Sequence, residues 1–422
     1  MFRSKSLFKN FTWLSISQGA NFLVPLIAYP YLLRITQIEE FGLIAFAQAV
    51  VTYLVHFVDY GFSITAVREI SLNRERPNKV SAIFNKLYFT KLMLLLLSFV
   101  IFYLLTTMIS AWSNFSPLFL SSFLIVIGQM LLPIWFFQGI EKMSGVALMN
   151  IISKVLFALF IFLFINESND FQWVNFYLGA SQIMVGLVAI RFIFVRHHIK
   201  INPPSFVIII SQLKANWSIF LSVFSGFVAN NSNLVILGLM TDPVSTAYYA
   251  IVEKVLLAIR APAVLLYQTI FPKVCLLAEK SFDHLISFLK TIVRLTLLSF
   301  IPLAIIVYIF SDDIVHLFSG EYLKPSSYLL KIICVIPLFA ALNIPATQTM
   351  LAYDLKKSYA NITIGGAVFN ITINIILVSA FSAYGSAVAA LATELFITLM
   401  LFLNLRLFHS KYSVFGAFKL SR

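Results

Sequence analysis

The side chains with chemistry to offer are the few charges that interrupt long apolar runs. Glu253, Lys254 and Arg260 break one such run, and Lys154, Lys331 and Glu394 each break another. A charge inside hydrocarbon costs roughly 2.5–3.5 kcal/mol on insertion scales, so it is kept for pairing or for function. Glu253 and Arg260 are seven residues apart, two turns of helix, and share a face that Tyr249 and Tyr267 extend. Such a stripe faces a protein interior or a water-filled cavity. The planar guanidinium of Arg260 suits oxyanions, because it forks onto two oxygens at once. Lys254, Lys154 and Lys331 would add positive charge for an anionic substrate. Glu253, Glu394 and Asp59 are the carboxylates within these runs, with Glu253 expected to pair with Arg260 or a neighbouring lysine. Lys86, Lys91, Arg191 and Arg294 lie near the ends of their runs, where a long stem carries the charge out to the headgroups.

Smaller polar groups recur at helical spacing in two places. Leu14, Gln18, Asn21 and Pro25 form one stripe, and Ser222, Gly226, Asn230 and Asn233 form the other. Gln18, Asn21, Asn230 and Asn233 can hydrogen-bond the hydroxyls of a polar substrate. They can equally hold helices together, at about 0.6 kcal/mol per bond in a membrane.

The elements that must position these groups follow from composition. The 422 residues are 60% hydrophobic and 11% charged, with a mean hydropathy of +0.93. A soluble domain carries about 25% charged residues, so most of this surface meets lipid. Within lipid only helices and closed barrels satisfy every backbone group, and the unbroken apolar runs here are helix-length. A bilayer core takes about 20 residues per helix. That places twelve spans, at 11–33, 41–62, 84–109, 116–138, 145–165, 171–195, 217–240, 246–271, 291–310, 326–351, 359–381 and 384–405. The first is read as a retained span, because it is too long for a secretory signal and lacks an Ala-x-Ala site. Prolines at 25, 30, 133, 262, 302, 337 and 345 fall within spans and predict kinks. Cys275 and Cys334 have no spacing that suggests a metal site or a disulfide.

Charge sets the expected orientation. With twelve spans, the connections and tails on the N-terminal side hold 20 of the 30 Lys and Arg, while the other side holds only Arg34 and Lys324. Lys and Arg crowd the cytoplasmic side, so both termini are expected in the cytoplasm of a bacterial inner-membrane protein. The same bias accounts for most of the net charge of +13, and nucleic-acid binding is not needed to explain it. The connection 196–216 divides the chain into expected six-helix bundles at 1–200 and 201–422. The turns 139–144 and 352–358 occupy corresponding places in the two halves, each with one acid and at least one lysine. No phosphate-binding Gly-rich loop, cofactor motif or catalytic constellation is present, which points to a transporter rather than an enzyme.

Several segments in order carry a resemblance. Asn10 to Leu14, Pro30 to Arg34, Glu40-Phe41-Gly42, Trp135 to Met143, Tyr248 to Lys254, Phe271-Pro272 and Gly320-Glu321-Tyr322 together resemble the Wzx-type O-antigen flippases. These form the polysaccharide-transport branch of the superfamily that includes MATE exporters and lipid II flippases. The resemblance implies an all-α, V-shaped pair of bundles. It also implies a cargo of undecaprenyl-diphosphate-linked oligosaccharide carried from the cytoplasmic to the periplasmic leaflet, with a polysaccharide polymerase and a chain-length regulator as further partners. It maps a cationic cavity onto Arg260, Lys254, Lys154 and Lys331, and, since some members are driven by ion antiport, it makes Glu253, Asp59 and Glu394 the candidate ion-coupling carboxylates without fixing which. A MATE-like cation antiporter is the alternative with the same fold. A membrane polymerase would need a large periplasmic loop, and the longest expected here is 311–325. A major-facilitator transporter would carry a basic signature after span two that the segment from Gly61 lacks.

Reporter fusions test the topology. Fusions after Leu33, Asn114, Ser168 and Asp313 should report the periplasm, and those after Asn78, Lys200 and Lys411 the cytoplasm. A reversed signal at an interior site would break the span count.

Overall fold

The computed structural model describes residues 27–407 together with Trp13, Ile16, Ser17 and Gly19. Gln18, Asn21 and Pro25 lie outside the described residues. The chain divides into two compact units, Met1–Phe224 and Ser225–Arg422. The described secondary structure is helical throughout, and nine of the described helices are long and apolar enough to cross a membrane.

In the N-terminal unit, residues 27–35 are helical and lead into α1 (Ile38–Asp59). Its start is fixed by a capping box, in which the Gln37 backbone N–H donates to Glu40 at 3.0 Å. Tyr60 and Gly61 then turn left-handed, with φ 49° and 73°, and α2 (Phe62–Asn73) begins. Next come α3 (Pro77–Met108), the single turn α4 (Ser110–Ser113) and α5 (Ser116–Leu131). The expected fourth span breaks at Pro133 and resumes as α6 (Ile134–Gly139); Leu132 before the proline is extended, as the ring of the following residue requires. The unit continues with α7 (Met143–Phe164), a 3₁₀ segment (Ser168–Trp173) and α8 (Val174–His197). On α3 the exposed Leu96, Val100, Leu104 and Met108 form an apolar stripe at four-residue spacing, which is a lipid-facing surface.

Small residues allow α5 and α8 to approach closely, as is common in membranes. A Cβ at Gly179 would lie 2.5 Å from the carbonyl carbon of Leu124, and one at Gly128 would lie 2.6 Å from Cβ of Gln182. Asn175, buried on α8, ties this core together. It accepts from Gln48 on α1 and donates to Ser122 on α5, both at 2.8 Å.

Helix α9 (Phe206–Met240) carries the chain from one unit into the other. The C-terminal unit then holds α10 (Pro243–Lys280), α11 (Phe282–Ile309), α12 (Ser311–Ser319), α13 (Lys324–Ile333), α14 (Ile336–Ala352) and α15 (Lys356–Leu407). Its inner core joins α10, α11 and α14 through Ile270, Val274, Leu285, Leu289 and Ile344. Helix α15 comprises two helices joined at Ser382, whose φ of 51° and ψ of −131° reverse the chain, so the expected boundary between spans eleven and twelve stands where the structure bends. Gly385 makes that bend possible, because a Cβ there would strike the Leu377 carbonyl.

The three longest expected connections prove to be mostly helix. Residues 206–216 belong to α9, and 272–290 is helical apart from the single capping residue Ser281. Hydropathy locates the part of a helix inside the bilayer, and Lys, Glu and Leu propagate helix equally well once outside. At 38 residues, α10 is ~57 Å long at 1.5 Å per residue, against a hydrocarbon core of about 30 Å.

The two corresponding turns share one backbone. Glu141 and Asp354 both sit left-handed, at φ 59° and 58°. The next N–H, of Lys142 or Leu355, reaches back five residues to Phe137 or Met350, at 2.8 Å in each case.

The α5–α8 seam gives a test. Gly179→Leu should sharply reduce the amount of protein in the membrane, because its Cβ meets backbone that cannot yield. Leu124→Ala, which removes side chain at the same seam, should reduce it far less. Quantitative immunoblotting of membranes compares the two.

Candidate functional site

Arg260 lies on α10 and Glu394 on the second half of α15, and their side chains form a direct ion pair. The two groups are largely removed from solvent, with side chains 21% and 12% exposed. The expected partner of Arg260 was Glu253; the structure corrects this. Seven residues along a helix is more than 10 Å of rise, so the arginine closes instead onto a carboxylate from a neighbouring helix. Glu253 lines the same cavity without pairing to Arg260.

That cavity measures about 40 Å³ and is bordered by Asn230, Asn233, Tyr249, Asn370 and Thr393 besides the three charges. A water needs about 10–15 Å³ of such space, so it holds a few waters or one small ion and is too small for a sugar ring. Its floor is a network of neutral polar groups. Asn233 on α9 donates to Tyr249 Oη at 3.1 Å and accepts from Asn370 and Asn374 of α15, at 3.2 and 2.8 Å. Asn370 also donates to Thr393 at 2.9 Å, and its carbonyl accepts from Ser232 at 2.5 Å. These amides largely satisfy one another away from bulk solvent, where an unpaired group is costly; the Asn374 carbonyl is the exception, buried without a partner.

The remaining expected residues are placed as follows. Asn230 is exposed and donates to the Gly226 carbonyl in its own helix at 2.8 Å, so within its stripe only Asn233 bonds across helices. Lys254 is half-buried and does not border this cavity. Lys331 has an acidic neighbour in Asp312 at 3.8 Å, and its ammonium stands 5.3 Å from the Tyr328 ring centre. Lys154 is on α7 in the N-terminal unit, half-buried. Asp59, also in that unit, pairs with Lys91 at 2.7 Å. Lys91 is thereby corrected from a headgroup-seeking lysine to a buried one, 4% exposed. Its ammonium turns inward to the carboxylate of a neighbouring helix. Lys86 is half-exposed and stands 3.8 Å from Glu69. Sequence reading missed Asn370 and Asn374; four apart within an apolar run, they carry the same signal as the stripes that were noticed.

Outside the spans, Asp242 caps α10 by accepting from the Ser245 backbone N–H and hydroxyl, each at 2.8 Å. Partial burial raises the pKa of this carboxyl, but those hydrogen bonds outweigh it and hold the group below its ordinary value.

Comparison with known proteins now decides the family. Residues 7–275 match the family model described as polysaccharide biosynthesis protein, and residues 275–376 match the MatE model. The chain belongs to the polysaccharide biosynthesis protein family. A relative from Escherichia coli (strain K12), named "Putative O-antigen transporter", is 26% identical over 95% of this chain and 97% of its own length. The fold is that of a multidrug resistance MATE family transporter of the MOP superfamily in an inward-facing conformation, at TM-score 0.75 and 13% identity, covering 96% of this chain and 98% of the other. It is also that of the lipid II flippase MurJ in an inward closed conformation, at TM-score 0.69 and 15% identity, covering 96% and 87%. This family member is therefore a multi-pass membrane transporter and not an enzyme.

Removing one half of a buried pair strands the other, at a cost of about 3–5 kcal/mol. Arg260→Ala in this transporter should lower its abundance and its thermal midpoint in detergent, and Arg260→Ala with Glu394→Gln should recover both. Arg260→Ala with Glu253→Gln should not, which separates the two carboxylates.

Proposed function

We propose that this transporter carries undecaprenyl-diphosphate-linked oligosaccharide repeat units from the cytoplasmic to the periplasmic leaflet of a bacterial inner membrane, by alternating access. The observation that carries the reading is the near full-length relationship to a protein named as an O-antigen transporter, combined with a guanidinium largely buried against a carboxylate of another helix. In this mechanism Arg260 is the diphosphate ligand and Glu394 its resting partner. A diphosphate offers paired oxygens in the geometry that a guanidinium fork accepts, with charge-assisted bonds about twice as strong as neutral ones. The cargo therefore competes with Glu394 for Arg260 as the site opens. A carboxylate released within a protein cavity is costly to keep charged without a counter-ion. It takes a proton or a small cation, so cargo movement and ion movement become linked through one side chain. Glu253, on the same cavity, is the second group available to that ion.

A cation exporter is the second reading. It is favoured by the balance of charge around the C-terminal cavity, two carboxylates against one guanidinium. Under the first reading that balance serves the coupling ion.

Deletion in the native host should abolish surface O-antigen and leave lipid-linked repeat units facing the cytoplasm. Complementation with Arg260→Lys should restore part of the export. Arg260→Ala with Glu394→Gln should be abundant but inactive. Normal O-antigen in the deletion strain together with altered drug tolerance would select the exporter, and full export by the double variant would remove Arg260 from substrate binding.

A further inference from the structure

The N-terminal unit contains a second polar cavity, of about 290 Å³, bordered by His56 and Asp59 of α1, Lys91 of α3, Gln129 of α5, and Trp135 and Gln138 of α6. We propose that this cavity binds a single uncharged sugar ring of the transported oligosaccharide, through Gln129, Trp135, Gln138 and the Asp59–Lys91 pair. The proposal rests on the reading of the cargo as an oligosaccharide.

Size is the first argument. Small-molecule sites span roughly 300–1,000 Å³, so this cavity takes one ring and not a chain of them. The second argument is the hydrogen-bonding capacity left over. Trp135 is 3% exposed, and its indole N–H is buried without an acceptor. Neither Gln129 nor Gln138 has a side-chain partner among the described residues, although each amide carries donors and an acceptor. Lys91 uses one of its three protons on Asp59 at 2.7 Å, and the other Asp59 oxygen receives a long bond of 3.4 Å from the Ser63 N–H. A buried N–H such as that of Trp135 is normally satisfied, and a ligand that both donates and accepts would satisfy it together with the half-buried amides of Gln129 and Gln138. Sugar hydroxyls do both.

Charge excludes the obvious competitor. Asp59 and Lys91 neutralise each other, so the cavity has little net attraction for phosphate, and an acceptor-only anion would face the Asp59 carboxylate. The indole is held in place beforehand: its ring is 5.7 Å from both Phe84 and Tyr88, so the direction of its N–H is fixed before a ligand arrives. Asp59, Lys91 and Gln138 also lie near the ends of the second, third and fourth expected spans on the side assigned to the cytoplasm. That is the side from which a flippase loads.

The test uses the full-length protein in detergent and a panel of free sugars: glucose, galactose, mannose, rhamnose and N-acetylglucosamine. Saturation-transfer NMR and thermal shift report binding. At least one sugar should bind in the millimolar range, and Trp135→Phe and Gln138→Ala should each weaken it about three- to tenfold, the loss of one neutral hydrogen bond, with the thermal midpoint of the unliganded protein retained. Trp135→Phe keeps a ring and removes the N–H, so it isolates the bond from the packing. Failure of every sugar to bind, equal binding by both variants, or protection by inorganic pyrophosphate instead of sugar would overturn the proposal. The deletion strain keeps the two readings apart. Lost O-antigen without sugar binding removes the cavity and leaves the flippase, and sugar binding with normal O-antigen does the reverse.

Discussion

Arg260 and Glu394 show the constraint under which the rest of this molecule is arranged. Neither has bulk water to stabilise its charge, so each can be kept only because the other is in reach. The same requirement recurs at lower cost at other buried polar side chains. Lys91 has Asp59, Asn175 has Gln48 and Ser122, and Asn233 has two asparagines and a tyrosine. The backbone obeys it by staying helical. Where the helix stops, at Tyr60-Gly61, Pro133 or Ser382, the break is a defined turn built from a glycine, a proline or a left-handed residue.

The two units solve the problem differently. In the N-terminal unit one ion pair lies beside a cavity with unused hydrogen-bonding groups, and the Asn175 core is separate from it. In the C-terminal unit the ion pair and the amide network border the same small cavity. A space of that size, with carboxylates on its wall, is suited to water and ions. The larger N-terminal space, with an ion pair already balanced, is suited to neutral polar groups.

The fold was largely legible in the sequence, because the bilayer imposes a length and a polarity that hydropathy reads directly. Ser382 falls in the two-residue gap left between spans eleven and twelve, and Pro133 breaks the fourth. Helix ends outside the bilayer were not legible: nothing in the composition of 206–216 or 272–290 distinguishes a solvated helix from a loop. The sites were legible as residues and not as pairs. Arg260, Glu394, Asp59 and Asn233 could each be singled out by their expense in lipid. Which carboxylate meets Arg260 depends on how helices far apart in sequence are packed, and periodicity along one helix pointed to Glu253. Lys91 was misread for a related reason, since distance from a span's end says nothing about a neighbouring acid.

The matching turns at Glu141 and Asp354 bear on where the chain came from. The bond that closes each turn runs between backbone groups, while the acids pair differently, Glu141 with Arg74 and Asp354 with Lys356, so side-chain partners have changed without altering the turn. Gly139-Ile140-Glu141-Lys142 and Ala352-Tyr353-Asp354-Leu355 have in common only an acid, at a position where the backbone angles nearly coincide. A duplicated ancestral half would leave this kind of trace: dihedral angles outlast letters, and the history of the molecule is better preserved in its geometry than in its alphabet.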